Sequence, residues 1–200
     1  MTLVPGLAPG AGRRAAPVFA AAVLALPVAP PLGVAVALLG WAVLLFYRDP
    51  ERAAPAGGVL APADGVVSVV REEGDRVRLG IYMNVLNVHV NRAPVAGEVR
   101  RVDHHDGGHR PAFSKDSEQN ERVEIDLGDA EVTLIAGSVA RRITPYVDAG
   151  DAVERGDRIG HIAFGSRADV LLPPEIARED LYVEEEDRTL AGETPVAPLS

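Results

Sequence analysis

The step Gly165-Ser166 carries the most distinctive chemistry in the chain. It closes the run Gly156-Asp157-Arg158-Ile159-Gly160-His161-Ile162-Ala163-Phe164-Gly165-Ser166-Arg167, two short apolar stretches ending in a Gly-Ser bond. Glycine leaves its carbonyl open to approach and permits strained backbone angles. Serine sets a hydroxyl beside that carbonyl. Attack of the hydroxyl turns the amide into an ester, and elimination then leaves an N-terminal pyruvoyl group. Such a ketone would let a chain without cysteine or a bound cofactor decarboxylate an amine. A second pair, Gly137-Ser138, follows Thr133-Leu134-Ile135-Ala136, and local sequence does not choose between the two. Neither has the G-x-S-x-G pattern, so a hydrolase triad is not supported.

A serine nucleophile needs a base. His89 lies in Met83-Asn84-Val85-Leu86-Asn87-Val88-His89-Val90-Asn91-Arg92-Ala93-Pro94. On a strand, Asn87, His89 and Asn91 share one face while Leu86, Val88 and Val90 share the other. That polar row suits a wet pocket or a plain surface face, and imidazole deprotonates a hydroxyl near neutral pH. Asp64, in Ala61-Pro62-Ala63-Asp64-Gly65, reads either as a turn aspartate or as a carboxylate that orients the histidine.

Other side chains are candidates for holding an anionic headgroup. The stretch Phe113-Ser114-Lys115-Asp116-Ser117-Glu118-Gln119-Asn120-Glu121-Arg122 mixes cationic, hydroxyl and amide groups that suit a phosphate. From it we take Lys115 and Asn120, and to them add Arg141, from Arg141-Arg142, and Asn87. The cluster Asp103-His104-His105-Asp106-Gly107-Gly108-His109 invites a metal reading. It is expected to be a glycine-rich loop with no frame to fix ligand geometry, so no metal site is assigned.

These side chains must be positioned by a core, and 200 residues are enough for one. The absence of cysteine excludes disulfides, thiolate catalysis and cysteine-ligated zinc. The net charge of −9 argues against a nucleic-acid partner and fits a well-solvated surface, including one in a high-salt cytoplasm. Twenty glycines and sixteen prolines predict many turns between short strands.

The expected fold is therefore mainly β, a compact sandwich or barrel, preceded by an N-terminal apolar helical membrane segment. Residues 1–14 read as a flexible tail. Residues 15–47 contain no charge over 33 positions, too long for one span and too short for two, with Pro27, Pro30 and Pro31 near the middle. Two short helices dipping into one leaflet, one kinked span and a buried helix pair all remain open. Residues 48–58 read as a linker and 59–200 as the β domain. Expected strands are Val59–Ala61, Val66–Arg71, Arg76–Met83, Val85–Val90, Glu98–Asp103, Arg122–Leu127, Glu131–Ala136, Val139–Tyr146, Arg158–Phe164 and Ala168–Leu172, with a loop over His104–Ser117.

Taken in order, these phrases resemble the short-form phosphatidylserine decarboxylase family, including archaeal enzymes proposed to act on archaetidylserine. The resemblance runs through Arg48-Asp49-Pro50, Ala61-Pro62-Ala63-Asp64-Gly65, Asn87-Val88-His89-Val90-Asn91-Arg92, Asn120-Glu121-Arg122, Ile135-Ala136-Gly137-Ser138-Val139-Ala140-Arg141-Arg142-Ile143 and Gly160–Arg167. It implies self-cleavage between Gly165 and Ser166, with residues 1–165 as the larger chain and 166–200 as the pyruvoyl-bearing one. Ser138 becomes a decoy. His89 would draw the proton from Ser166, and Asp64 matches the family aspartate linked to self-cleavage. Long-form members resemble a D-x-H-x-x-H pattern; here only the first histidine is present, which leaves His89 to serve maturation, turnover or both.

The implied activity is that of a carboxy-lyase. A serine lipid forms a Schiff base with the pyruvoyl group of residue 166, loses carbon dioxide and leaves as the ethanolamine lipid. The implied partners are a phospholipid, a membrane and the second cleavage product, with no nucleic acid. The implied location is the cytoplasmic face of the cell membrane, peripheral or shallowly inserted. The acidic balance tilts the lipid toward an archaetidyl one. Two rivals come from other classes. A biotinyl- or lipoyl-like carrier would want a lysine at a hairpin tip, and the only lysine is Lys115 in a polar loop. A zinc hydrolase would draw on His89, His104, His105 or His109.

Overall fold

A computed structural model describes residues 6–108, 119–137, 143–163 and 165–199. The chain divides into two units, Met1–Glu51 and Arg52–Ser200.

In the first unit the charge-free run forms two helices, α1 (Ala11–Ala25) and α2 (Pro30–Phe46). Pro30 and Pro31 open α2, where a missing N–H costs nothing. The helices meet closely at glycine: a Cβ on Gly40 would sit 2.8 Å from Phe19 Cε1. Phe19 and Trp41 stack edge to face with centroids 5.9 Å apart.

The expected membrane segment is not supported. The helices hold 15 and 17 residues. At 1.5 Å per residue they reach about 22 and 25 Å, short of a hydrocarbon core of about 30 Å. Among the described residues no helix is long and apolar enough to cross a membrane. The prolines near position 30 divide the run into two short pieces, and α1 starts inside the stretch expected to be a tail.

The second unit is mainly β. Its strands are β1 (Val59–Leu60), β2 (Gly65–Glu73), β3 (Arg76–Met83), β4 (Val90–Arg92), β5 (Gly97–Glu98), β6 (Arg101–His105), β7 (Arg122–Asp126), β8 (Glu131–Ile135), β9 (Ile143–Pro145), β10 (Ala152–Val153), β11 (Arg158–Ile162), β12 (Ser166–Leu171), β13 (Arg188–Thr189) and β14 (Pro195–Ala197). The largest sheet runs β13-β2-β3-β12-β8-β7-β6. A three-stranded sheet runs β4-β11-β9, and β1-β14 and β10-β5 form two small pairs. The strands of the largest sheet pair antiparallel throughout.

Period-two alternation sends Leu79 and Ile81 of β3, Val132 and Leu134 of β8, and Ala168 and Val170 of β12 into one core, all fully buried. The three-stranded sheet packs against it: a Cβ on Gly160 would lie 3.0 Å from Leu134 Cδ1.

Several local expectations differ from the structure; Glu98–Asp103, expected as one strand, is divided between β5 and β6, which lie in different sheets. The stretch Val85–Val90 is not one strand. Asn84 and Asn87 close a turn: the Asn84 N–H donates to Asn87 Oδ1 at 2.8 Å, and the Leu86 N–H donates to Asn84 Oδ1 at 2.8 Å. Asparagine side chains here supply the bonds a ladder would have supplied, and β4 starts only at Val90. The segment expected as a loop from His104 begins later, because β6 continues through His105, paired with Arg122.

Candidate active site

The antiparallel register collects the candidate residues at one end of the seven-stranded sheet. Gly65 opens β2, Met83 ends β3, Ser166 opens β12, Ile135 ends β8, Arg122 opens β7 and His105 ends β6.

Ser166 is the first residue of the central strand and pairs with Met83. The strand before it, β11, is central in the other sheet and ends at Ile162. The chain therefore passes from the middle of one sheet to the middle of the next. Gly165 sits there at φ 59°, in the left-handed region, and a Cβ on it would meet nothing within 4 Å. Backbone conformation, not crowding, asks for glycine. Ser166 is fully buried, and its Oγ has no hydrogen-bond partner among the described residues. Leaving a buried hydroxyl in that state costs about 1–3 kcal/mol, a cost more often met at reactive positions than in ordinary cores.

Asn91, fully buried on β4, contacts the strand partner of Ser166. Its Nδ2 donates to Pro62 O at 3.4 Å and reaches the sulfur of Met83 at 3.7 Å, while its Oδ1 has no hydrogen-bond partner. Met83 thus touches Asn91 and pairs with Ser166. The polar row in the sequence contained Asn91 but gave no reason to single it out.

His89 precedes β4 and is 2% exposed. Its carbonyl accepts the N–H of Ile162 at 3.2 Å, which fastens it to the end of β11. Asn87 is not on a strand with it but in the turn described above.

Asp64 is 5% exposed, and its carboxylate takes two bonds from Arg52, at 2.9 and 3.1 Å, and one from the Ala191 N–H at 2.8 Å. Arg52 also bonds Glu193 at 2.8 Å and holds that carboxyl below its ordinary range. The structure thus joins Asp64 to a guanidinium rather than to the imidazole of His89. Gly65 beside it is obligatory, since a Cβ there would lie 2.2 Å from the Tyr82 carbonyl oxygen.

Asn120 is fully buried and donates from Nδ2 to Ala136 O at 2.7 Å; the Ala136 N–H donates to Glu121 O at 2.9 Å. Its amide ties the entry of β7 to the exit of β8. Lys115, Arg141, His109 and Ser138 lie outside the described residues.

Two features went unforeseen, and a third brings Glu124 to a cluster the sequence had suggested but set in a loop. Arg167 and Asp169 alternate with the core residues of β12 and form a bidentate pair at 2.7 and 2.9 Å, each 2% exposed. Burial pushes the Asp169 carboxyl up, against the pull of Arg167. Tyr146 Oη lies 2.9 Å from Nδ1 of the buried His161 on β11. Asp103, His105 and Glu124 bring ligand atoms within 4.8 Å of one another across β6 and β7. The Arg101–Asp103 and Arg122–Glu124 pairs, at 3.0 and 2.9 Å, already neutralise the two carboxylates, so a cation would compete with two guanidiniums.

Comparison with known proteins places the chain in a family. A phosphatidylserine decarboxylase family profile matches residues 39–197. A Halobacterium salinarum protein, provisionally named an archaetidylserine decarboxylase proenzyme, is 54% identical over 94% of this chain and 97% of its own. A phosphatidylserine decarboxylase proenzyme from Streptomyces avermitilis is 48% identical over 95% and 92%. A Methanosarcina acetivorans protein, named like the first, is 45% identical over 78% and 75%. The chain belongs to the phosphatidylserine decarboxylase family. It is a carboxy-lyase.

Proposed function

We propose that the chain matures by cutting itself between Gly165 and Ser166 and then decarboxylates a serine phospholipid to the ethanolamine lipid. The observation that carries the reading is the junction itself: a buried serine hydroxyl, without a hydrogen-bond partner among the described residues, next to a glycine held at positive φ between two central strands. That pairing fits a pyruvoyl precursor, because the nucleophile is kept out of water and the carbonyl before it carries no side chain on its residue.

The maturation step balances as follows. His89 takes the proton from the Ser166 hydroxyl, whose oxygen bonds to the Gly165 carbonyl carbon as the Gly165–Ser166 amide breaks. The amide nitrogen takes up a proton and the link becomes an ester. Loss of a proton from the Ser166 α-carbon expels the Gly165 carboxylate. The resulting enamine at residue 166 takes up water, releases ammonia and becomes a pyruvoyl group. Asp64, held by Arg52 and the Ala191 amide, fixes the neighbouring edge of the sheet rather than the imidazole. Once formed, the group supplies an electron sink for loss of carbon dioxide from a bound amine. Asn87, Lys115, Asn120 and Arg141 are the candidates for the headgroup; Asn120 contributes by holding β7 to β8.

We further propose that residues 1–165 and 166–200 stay together as a heterodimer, and that the enzyme works peripherally at the cytoplasmic face of the cell membrane. The similarity to the Halobacterium salinarum protein, with the acidic net charge, favours an archaetidyl substrate. The test is carbon dioxide release from serine lipids in detergent, with and without borohydride. Release that borohydride abolishes is expected. Full activity after borohydride would overturn the pyruvoyl reading.

A further inference from the structure

We propose that the Ser166 end of the large sheet docks on a lipid bilayer through the turn at residues 84–87, with Val85 and Leu86 entering the lipid and Leu190 on the margin. The inference rests on the reading that the substrate is a membrane phospholipid.

The turn is aliphatic and exposed. Val85 is 56% and Leu86 74% exposed, in a body whose other valines and leucines are mostly buried. It is also held in shape. The reciprocal bonds of Asn84 and Asn87 fix the turn, with the two aliphatic side chains exposed at its tip beside Asn84. Its two ends are site residues: Met83, the strand partner of Ser166, leads in, and Val88-His89 leads out.

Charge fits the same occupant. From Leu79 to Asn91 there is no Asp, Glu, Lys or Arg, in a chain of net charge −9. An acidic surface would be repelled by anionic headgroups, but this tip enters lipid without desolvating a charge. Leu190, 46% exposed, lies at the same end of the sheet: Thr189 pairs with Gly65, and the Ala191 N–H donates to Asp64. A serine headgroup that stays attached to its lipid must reach Ser166 from the bilayer surface. A tip anchored beside that residue shortens the distance the headgroup has to rise.

The absence of cysteine allows a direct test. Leu86→Cys and, as a control, Asp75→Cys in the β2–β3 turn at the opposite end of the sheet, would each carry an environment-sensitive dye. Each labelled full-length protein is mixed with phosphatidylcholine vesicles containing serine lipid. A blue shift at residue 86 and none at residue 75 is expected. A dye at residue 86 that stays water-like overturns the proposal, whatever the activity.

The second arm is turnover by Val85→Ser/Leu86→Ser. A loss of about tenfold or more on vesicles is expected, with self-cleavage and turnover of a short-chain dispersed serine lipid unchanged. Equal loss on both substrates, or no loss on either, overturns it. A blue shift at residue 86 with no carbon dioxide from any serine lipid would leave the docking in place and sink the decarboxylase reading instead.

Discussion

The N–H of Ile162 donates to the carbonyl of His89 at 3.2 Å, and four residues later the chain reaches Ser166. One backbone bond therefore fastens the candidate base to the strand that delivers the candidate nucleophile. The Gly165–Ser166 peptide lies between the middles of two sheets, so the chain is held on both sides of it.

Cutting there would not release the C-terminal piece. Its strand β12 lies between β3 and β8 of the larger piece, paired at every residue to β3, and β13 and β14 pair with β2 and β1. Mature protein is expected to elute from size exclusion as one species containing both chains and to separate only in denaturant. Separate elution under native conditions would contradict the heterodimer.

Asp64 is bound by Arg52, and this predicts which partner matters. Arg52→Gln should slow self-cleavage as Asp64→Asn does, on the order of 10²-fold if the sheet edge shifts by about 1 Å. Time courses on denaturing gels decide it. Wild-type cleavage in Arg52→Gln with arrest in Asp64→Asn would assign the carboxylate an action of its own.

Much of this arrangement was legible in the sequence, because several signals were local. The bounds of β3 follow from alternation between two turns, and Asp64-Gly65 was readable as a turn. The turn at Asn84–Asn87 was not, because Val85-Leu86-Asn87-Val88 alternates well enough for a strand; side-chain bonds from two asparagines override that pattern. The charge-free run over residues 15–47 read as a membrane segment from its lack of charge; the prolines in its middle were visible, and in the structure the run forms two helices too short to cross a membrane. The crossing from β11 to β12 and the burial of Ser166 depend on strand order, which no local pattern states. The Asp64–Arg52 pair joins the β domain to a residue placed in the linker, and composition gave no hint of it.

The buried pair on β12 makes a stability prediction. Asp169→Ala leaves the Arg167 guanidinium buried without its carboxylate and should cost about 3–5 kcal/mol. Replacing both residues by apolar ones of similar volume should recover most of that loss. Chemical denaturation of the Ser166→Ala background, which keeps the chain in one piece, measures both. A double variant no more stable than Asp169→Ala would show that the pair contributes more than charge compensation.

Acid stability has a named contributor. The hydrogen bond from Arg78, outweighing partial burial, lowers the Glu73 carboxyl from 4.5 to about 2. A depressed folded-state value stabilises the protein above the unfolded value, and that stabilisation fades as pH falls toward 2. The Tm advantage of wild type over Glu73→Gln should be constant above about pH 5 and shrink from there down to about pH 2. An advantage that does not change over this window would contradict the assignment.

Intact-mass measurement of purified wild type, Ser166→Ala and Ser138→Ala tests the self-cleavage most directly. Wild type and Ser138→Ala should each give two chains, the smaller beginning at residue 166 and lighter than the serine peptide by one ammonia, while Ser166→Ala remains whole. An active wild-type protein found as one uncut chain with an unmodified serine at 166 would contradict the account.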